Sequence, residues 1–367
     1  MTFTTLLCGL LTNAVVISLT DQPEPDSQFE WNQDAEQALV EIINDGAYGT
    51  VTSILILEDS EIVAELYFNG AGPQTLHNTR SVTKTVTSMA VGLAIRDGHL
   101  TIDANPADFF SELAPFDHPD PRKLSLTVED LLTMSSQMEC NDWTQFSRGN
   151  EERMYLVEDW NSFFWDLPIR GYPSWSTPPS GSPYGRSFSY CTAGVQILGE
   201  TVQRAVGVDF TTYVQAELFD PLGIGAHQWP ITGLGQVHMG GGLLLNTQDL
   251  AKLGDLYQAD GVWNEHRILP EAWVEDSFTS RAEISESLPG WRYGYLWWLI
   301  PYEVGGQTYY APSMNGNGGN RVFVLPDWGI TVVFTNTDYN NPQMNRNADQ
   351  FFRAEIVSRL LSHEILD

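Results

Sequence analysis

The sequence predicts an α+β fold: an antiparallel sheet flanked by helices, with a mainly helical lobe inserted between the segments that build the sheet. Three observations lead there. Residues 50–68 read as two strands around Glu58-Asp59-Ser60, with β-branched and apolar residues on both sides of that turn. Towards the other end, residues 293–300, 308–314, 321–325 and 330–335 read as strands. Glycine-rich or Asp/Gly turns, such as Gly305-Gly306, separate them, and connections that short join antiparallel neighbours. The middle, about 127–260, carries helical periodicity and Pro/Gly/Ser-rich loops such as 172–186.

Taken in order, a helix is expected to start at Asn78-Thr79. It would run through Val82, Val86, Met89 and Leu93 at helical spacing and stop at Gly98. A second helix covers 193–205, and a final amphipathic one covers 347–361. With no repeat and no flexible linker, residues 28–367 form one domain of two lobes, the helical lobe spanning about 127–260. A site at the lobe junction is the default expectation.

Composition narrows the function. The chain has 367 residues, 42% of them hydrophobic, and a formal net charge of -29 from 18 basic and 47 acidic residues. A field of that sign repels phosphate backbones and anionic membrane surfaces, which excludes nucleic acid as a partner and leaves small molecules. Residues 1–27 combine an apolar run with a polar, Pro-containing stretch, as an export signal does. The apolar run is too short for a membrane span, so no membrane insertion of the mature domain is expected. Past that segment lie two cysteines, Cys140 and Cys191, which are either a disulfide pair or two buried thiols.

Three short segments could carry chemistry. In Ser81-Val82-Thr83-Lys84 the serine and lysine stand three residues apart, so on a helix they share a face and can touch. Serine needs an adjacent base, and lysine is one only when burial or a nearby cation lowers its pKa. Lys84, Lys123 and Lys252 are the only lysines in the chain, which gives the motif weight; the alternative is a chance match with Lys84 solvated. Tyr190 precedes a helix and is either a proton shuttle or a core aromatic. Ser313-Met314-Asn315-Gly316-Asn317-Gly318-Gly319-Asn320 is either a hairpin turn or a place where backbone N–H groups meet a ligand. The seven histidines are scattered without metal-site spacing, and no Gly-x-Ser-x-Gly elbow or dinucleotide fingerprint occurs. No metal and no cofactor is expected.

In that order and at those separations, the three segments resemble the serine β-lactamase and penicillin-binding-protein superfamily. The likeness is to its branch of esterases, class C β-lactamases and 6-aminohexanoate-dimer hydrolases. Leu126 to Met134, Gly240-Gly241-Gly242-Leu243, Tyr293-Gly294-Tyr295 with Trp297-Trp298, and Asn336 extend it over nearly the whole chain. The resemblance implies a serine β-lactamase-like fold and hydrolysis of small esters or amides through an acyl-enzyme. It implies Ser81 as nucleophile, Lys84 as base and Tyr190 as acid/base shuttle. Thr192 stands where the family has Asn or Ser, and would bind substrate. The family's Lys-Thr-Gly or His-Thr-Gly triplet falls on Met314-Asn315-Gly316; Gly316 matches, while the cation and hydroxyl do not. The backbone N–H groups of Ser81 and Asn317 would form the oxyanion hole. Without the triplet's cation, Lys84 is expected to lower the tyrosine pKa, and Glu151 and Glu152 to be surface charges. Trp143, Trp165, Trp175 and Trp229 suggest an apolar-walled pocket, although most of them are expected to be buried in the core. The competing readings are a β-lactamase or D,D-peptidase, and a non-catalytic relative that only binds a ligand.

Overall fold

A computed structural model describes residue 29 and residues 31–171, 187–284 and 288–360. The expected export segment, Trp175 and the loop 172–186 lie outside the described residues.

The sheet has eight strands: β1 (Val51–Glu58), β2 (Glu61–Tyr67), β3 (Ala282–Glu283), β4 (Arg292–Tyr293), β5 (Trp298–Val304), β6 (Gln307–Gly316), β7 (Asn320–Leu325) and β8 (Ile330–Asn336). Their spatial order is β2-β1-β8-β7-β6-β5-β4-β3, so the two ends of the chain meet where β1 pairs antiparallel with β8. All seven neighbouring pairs in that order are antiparallel, as short turns require. The turn between β1 and β2 places Asp59 and Ser60 at φ of 47° and 67°, a left-handed pair that short polar side chains tolerate.

One expected strand is broken. Residues 293–300 divide into β4 and β5 because the chain turns at Gly294-Tyr295-Leu296-Trp297. Leu296 takes φ of 59° and its N–H donates to the Leu132 carbonyl at 2.9 Å. A Cβ on Gly294 would come within 2.0 Å of the Ser277 carbonyl, so only glycine fits that approach.

Helices cover both faces of the sheet. α1 (Gln33–Asn44) precedes the first strand, and the helical C-terminal segment packs on one side, where Phe351 stacks on Phe334 and Phe352 on Phe323, with ring centroids 4.4 Å apart in each pair. α2 (Thr83–Arg96) is the central helix, α3 (Thr192–Val206) packs against it, and α4 (Thr247–Gln258) lies on β1, β7 and β8. Gly254 lets α4 approach closely, since a Cβ there would come within 2.7 Å of both Thr331 and Val322. Every residue of α2 from Thr83 to Ala94 is buried, although the sequence shows one apolar stripe. Its hydroxyls are satisfied by neighbouring backbone: Thr85, Thr87 and Ser88 donate to the carbonyls of Leu296, Met239 and Tyr295. Such bonding lets a polar helix face enter a core without orphaned groups.

Candidate active site

Ser81 sits in a single helical turn, Arg80–Val82, that runs straight into α2. The helix does not begin at Asn78-Thr79 as the sequence suggested. Asn78 pairs with Leu244 in a two-residue ladder instead, and Arg80 takes φ of 53°, where a non-glycine backbone is strained. The segment from Gly240 to Leu243 holds that strained turn in place. Gly242 N–H donates to the Arg80 carbonyl at 3.0 Å, and Leu243 N–H to the Thr83 hydroxyl at 3.0 Å. Thr79 answers by donating to the Leu243 carbonyl through its hydroxyl at 2.6 Å and its N–H at 3.1 Å.

One turn along, Lys84 points back at the serine. Its Nζ lies 2.9 Å from Ser81 Oγ and donates to the Gly240 carbonyl at 2.6 Å, while the residue is 1% exposed. Burial lowers the Lys84 pKa, and the charges of Glu151 and Asp142 partly offset that. Gly240 can come this close because it lacks a Cβ, which would sit 2.8 Å from Thr192 Cγ2.

Tyr190 immediately precedes the N-cap of α3, with Lys84 Nζ 5.1 Å from its ring centroid. Burial raises its pKa strongly; a hydrogen bond with Ser81 and the charge of Arg321 pull it back, while Glu151 and Asp142 push it up. Arg321 is thus a cation that helps the tyrosine and that the sequence reading did not name, beside Lys84 over the ring. Arg321 is on β7, opposite Asn315 on β6, and is buried. Its Nη1 donates to the carbonyls of Gly316 (3.1 Å) and Asn320 (2.8 Å), and its Nη2 to Asn345 Oδ1 (2.7 Å).

The glycine-rich end of β6 reaches the same place. A Cβ on Gly316 would stand 2.1 Å from the Thr79 carbonyl, so this glycine seats the strand end against the turn that carries Ser81. Asn317 follows, fixed by an exchange with Asn340: its side-chain amide donates to Asn340 Oδ1 and its Oδ1 accepts from Asn340 N–H, each at 2.8 Å. Met314, at the position of the triplet's cation, is fully buried.

Two expectations change here. Thr192 is fully buried, so its hydroxyl does not face a ligand. Its N–H and Oγ1 meet Asp142 Oδ2 at 2.7 and 2.8 Å, and Oγ1 is also 3.0 Å from Glu151 Oε2. Glu151 is accordingly no surface charge but a half-buried member of the site, whereas Glu152 is exposed. Cys140 and Cys191 are bridged, with Cα atoms 5.4 Å apart, and the bridge ties the loop bearing Asp142 and Trp143 to the residue after Tyr190. Trp143, 51% exposed, lies parallel to the Tyr190 ring (11°, centroids 5.9 Å apart), and Trp298 packs on it at 5.5 Å. Of the other tryptophans thought to wall the pocket, Trp165 is core against Phe110 and Phe116, and Trp229 packs on Phe210 and Phe219.

Sequence reading missed Arg321, Asp142 and Glu151. A lone arginine in the otherwise apolar run Val322-Phe323-Val324-Leu325 was a usable signal; Asp142, in a loop, and Glu151, at the start of a four-residue helix, had none.

Comparison with known proteins shows the family. The Beta-lactamase family model matches residues 45–354. A 6-aminohexanoate-dimer hydrolase of Paenarthrobacter ureafaciens is 25% identical over 283 residues, which cover 74% of this chain and 68% of that protein. A lovastatin esterase of Penicillium rubens is 28% identical over 174 residues, 41% of this chain and 39% of the esterase. The crystal structure of a family VIII carboxylesterase superposes with a TM-score of 0.64 at 16% identity, covering 87% of this chain and 96% of that one, a likeness of fold. The chain belongs to the Beta-lactamase family and is a serine hydrolase.

Proposed function

We propose that this enzyme cleaves ester or amide bonds of small neutral substrates through an acyl-enzyme on Ser81, with Lys84 and Tyr190 moving the protons. The observation that carries this reading is the 2.9 Å contact between Ser81 Oγ and the Nζ of a lysine that is 1% exposed. Lys84 in its neutral form takes the Ser81 proton as Oγ attacks the substrate carbonyl carbon. The tetrahedral oxyanion meets the backbone N–H groups of Ser81 and Asn317. As the intermediate collapses, Tyr190 hands a proton to the departing alcohol or amine and recovers it from lysinium. Water then enters by the reverse sequence and frees the acid.

Three features favour neutral substrates. Met314 offers no charge to a β-lactam carboxylate, and the donors of Arg321 are engaged with Gly316, Asn320 and Asn345. The net charge of -29 opposes anionic ligands at low salt. Trp143 presents an aromatic face beside Tyr190, suited to apolar groups. The matched proteins named as a hydrolase and an esterase support the same bond types. Export is our reading of the compartment, supported by the Cys140–Cys191 bridge, since disulfides persist where the surroundings are oxidising.

The test compares kcat/KM for p-nitrophenyl butyrate and nitrocefin. The ester is expected to be the better substrate; a nitrocefin value equal or higher would overturn the specificity reading.

A further inference from the structure

Thr192 Oγ1 lies 2.8 Å from Asp142 Oδ2 and 3.0 Å from Glu151 Oε2. A hydroxyl has one proton and can donate to one of those oxygens only. Were both carboxyls ionised, the second contact would set lone pair against lone pair. Among the described residues the backbone does not resolve this, because it supplies donors to Asp142 alone: Thr192 N–H to Oδ2 at 2.7 Å and Glu151 N–H to Oδ1 at 2.9 Å. Tyr155 OH, 3.4 Å from Glu151 Oε2, is too distant to be a strong donor. The geometry is satisfied when one of the two carboxyls keeps its proton and donates to the Thr192 oxygen, which then donates to the other.

We infer that Asp142 and Glu151 hold one proton between them beside Lys84, and that this shared proton sets the pH at which Lys84 can act as a base. The inference rests on the proposed roles of Ser81 and Lys84. The carboxyl of Asp142 is pushed up to about 7, by burial first and by the Glu151 charge second, with Lys84 and Thr192 acting against them. Both carboxylates in turn favour the charged lysine.

A protonated pair beside neutral Lys84, and an ionised pair beside lysinium, contain the same protons and differ in where one of them sits. Only the first leaves Lys84 a lone pair for the Ser81 proton. Asp142 and Glu151 therefore act through Lys84 as positioning residues.

Among the described residues, the other charged and titratable groups around them are few. Tyr190 faces Lys84, with Arg321 behind it. Tyr155 faces Glu151 and Asp142, with exposed Glu152 beyond it, and stays protonated because burial and these charges raise its pKa. His238, 3.1 Å from the Tyr155 hydroxyl, is held at about 3 by burial and by Lys84 and Arg80. It is neutral throughout the range in which the pair titrates. Arg321, lowered to about 10, stays charged there.

The test is the pH profile of kcat/KM for p-nitrophenyl butyrate from pH 4 to 9 in the unaltered enzyme, Asp142→Asn and Glu151→Gln. Removing either negative charge withdraws support from lysinium, so the acid limb should move to lower pH by roughly one unit or more. Lower rates with the limb unmoved would mean the carboxylates only brace the fold, and would overturn the inference. A second measurement needs neither carboxyl variant nor turnover: pH-difference infrared spectroscopy of Ser81→Ala. A carboxylic-acid band that titrates between pH 5 and 8 is expected, and its absence would sink the shared proton. Should Ser81→Ala remain active, the proposed function fails while the infrared result still judges the pair.

Discussion

The guanidinium of Arg321 donates to the carbonyl of Gly316 at 3.1 Å, which ties a buried cation on β7 to the strand end that abuts the Ser81 turn. Its charge lowers a tyrosine pKa that burial otherwise raises. Arg321→Gln keeps hydrogen-bonding capacity but not the charge, and should lower kcat by roughly 10- to 100-fold, each tenfold corresponding to about one pKa unit. Arg321→Lys should recover part of that loss. Equal activity in Arg321→Gln and the unaltered enzyme, with melting temperatures checked alongside, would remove Arg321 from the proton path.

The Cys140–Cys191 bridge closes a sequence separation of 51 residues and holds the Asp142–Trp143 loop beside Tyr190. Replacing both cysteines by serine should cost about 2–4 kcal/mol in denaturant unfolding. It should also lower kcat, because the loop carries both the Asp142 carboxylate and the aromatic face on Tyr190. A destabilised variant with unchanged kcat would show that the loop holds its place without the bridge.

Acid sensitivity has an identifiable source in His238, whose pKa falls from 6.5 to about 3 through burial first, then Lys84 and Arg80. His77, lowered to about 4 by burial, acts alike. Below pH 6.5 the unfolded chain binds protons that the folded chain refuses. The stability these residues confer is therefore complete above pH 6.5 and is lost as pH falls towards their folded values. The unfolding free energy of His238→Gln in urea titrations should decline less between pH 6.5 and 4 than that of the unaltered protein, by roughly 1–3 kcal/mol. Parallel declines would show that His238 is not the source.

Much of this architecture is legible in the sequence because it rests on local signals. Strand alternation with Gly/Asp punctuation marks β1, β2 and β5 to β8, and helical spacing marks α2 and places Lys84 over Ser81. What escapes is set by contacts remote in sequence. The left-handed Arg80 is held by residues 240–243, and the break before β5 by Leu132 and Ser277. Arg321 enters the site through strand register, opposite Asn315, rather than through a motif. Asp142 arrives on a loop tied down by a disulfide and Glu151 at the start of a short helix, and Thr192 contacts both. No spacing rule connects residue 142 with residue 84.

The central claim is that Ser81 becomes covalently acylated with Lys84 as its base. Peptide mass spectrometry after treatment with a fluorophosphonate tests it most directly, in the unaltered enzyme, Ser81→Ala and Lys84→Ala. The adduct is expected on the peptide containing Ser81, absent in Ser81→Ala, and formed at least about 100-fold more slowly in Lys84→Ala, a loss typical of removing a positioned base. An adduct on another residue, or labelling of Ser81 at an undiminished rate without Lys84, would contradict the account.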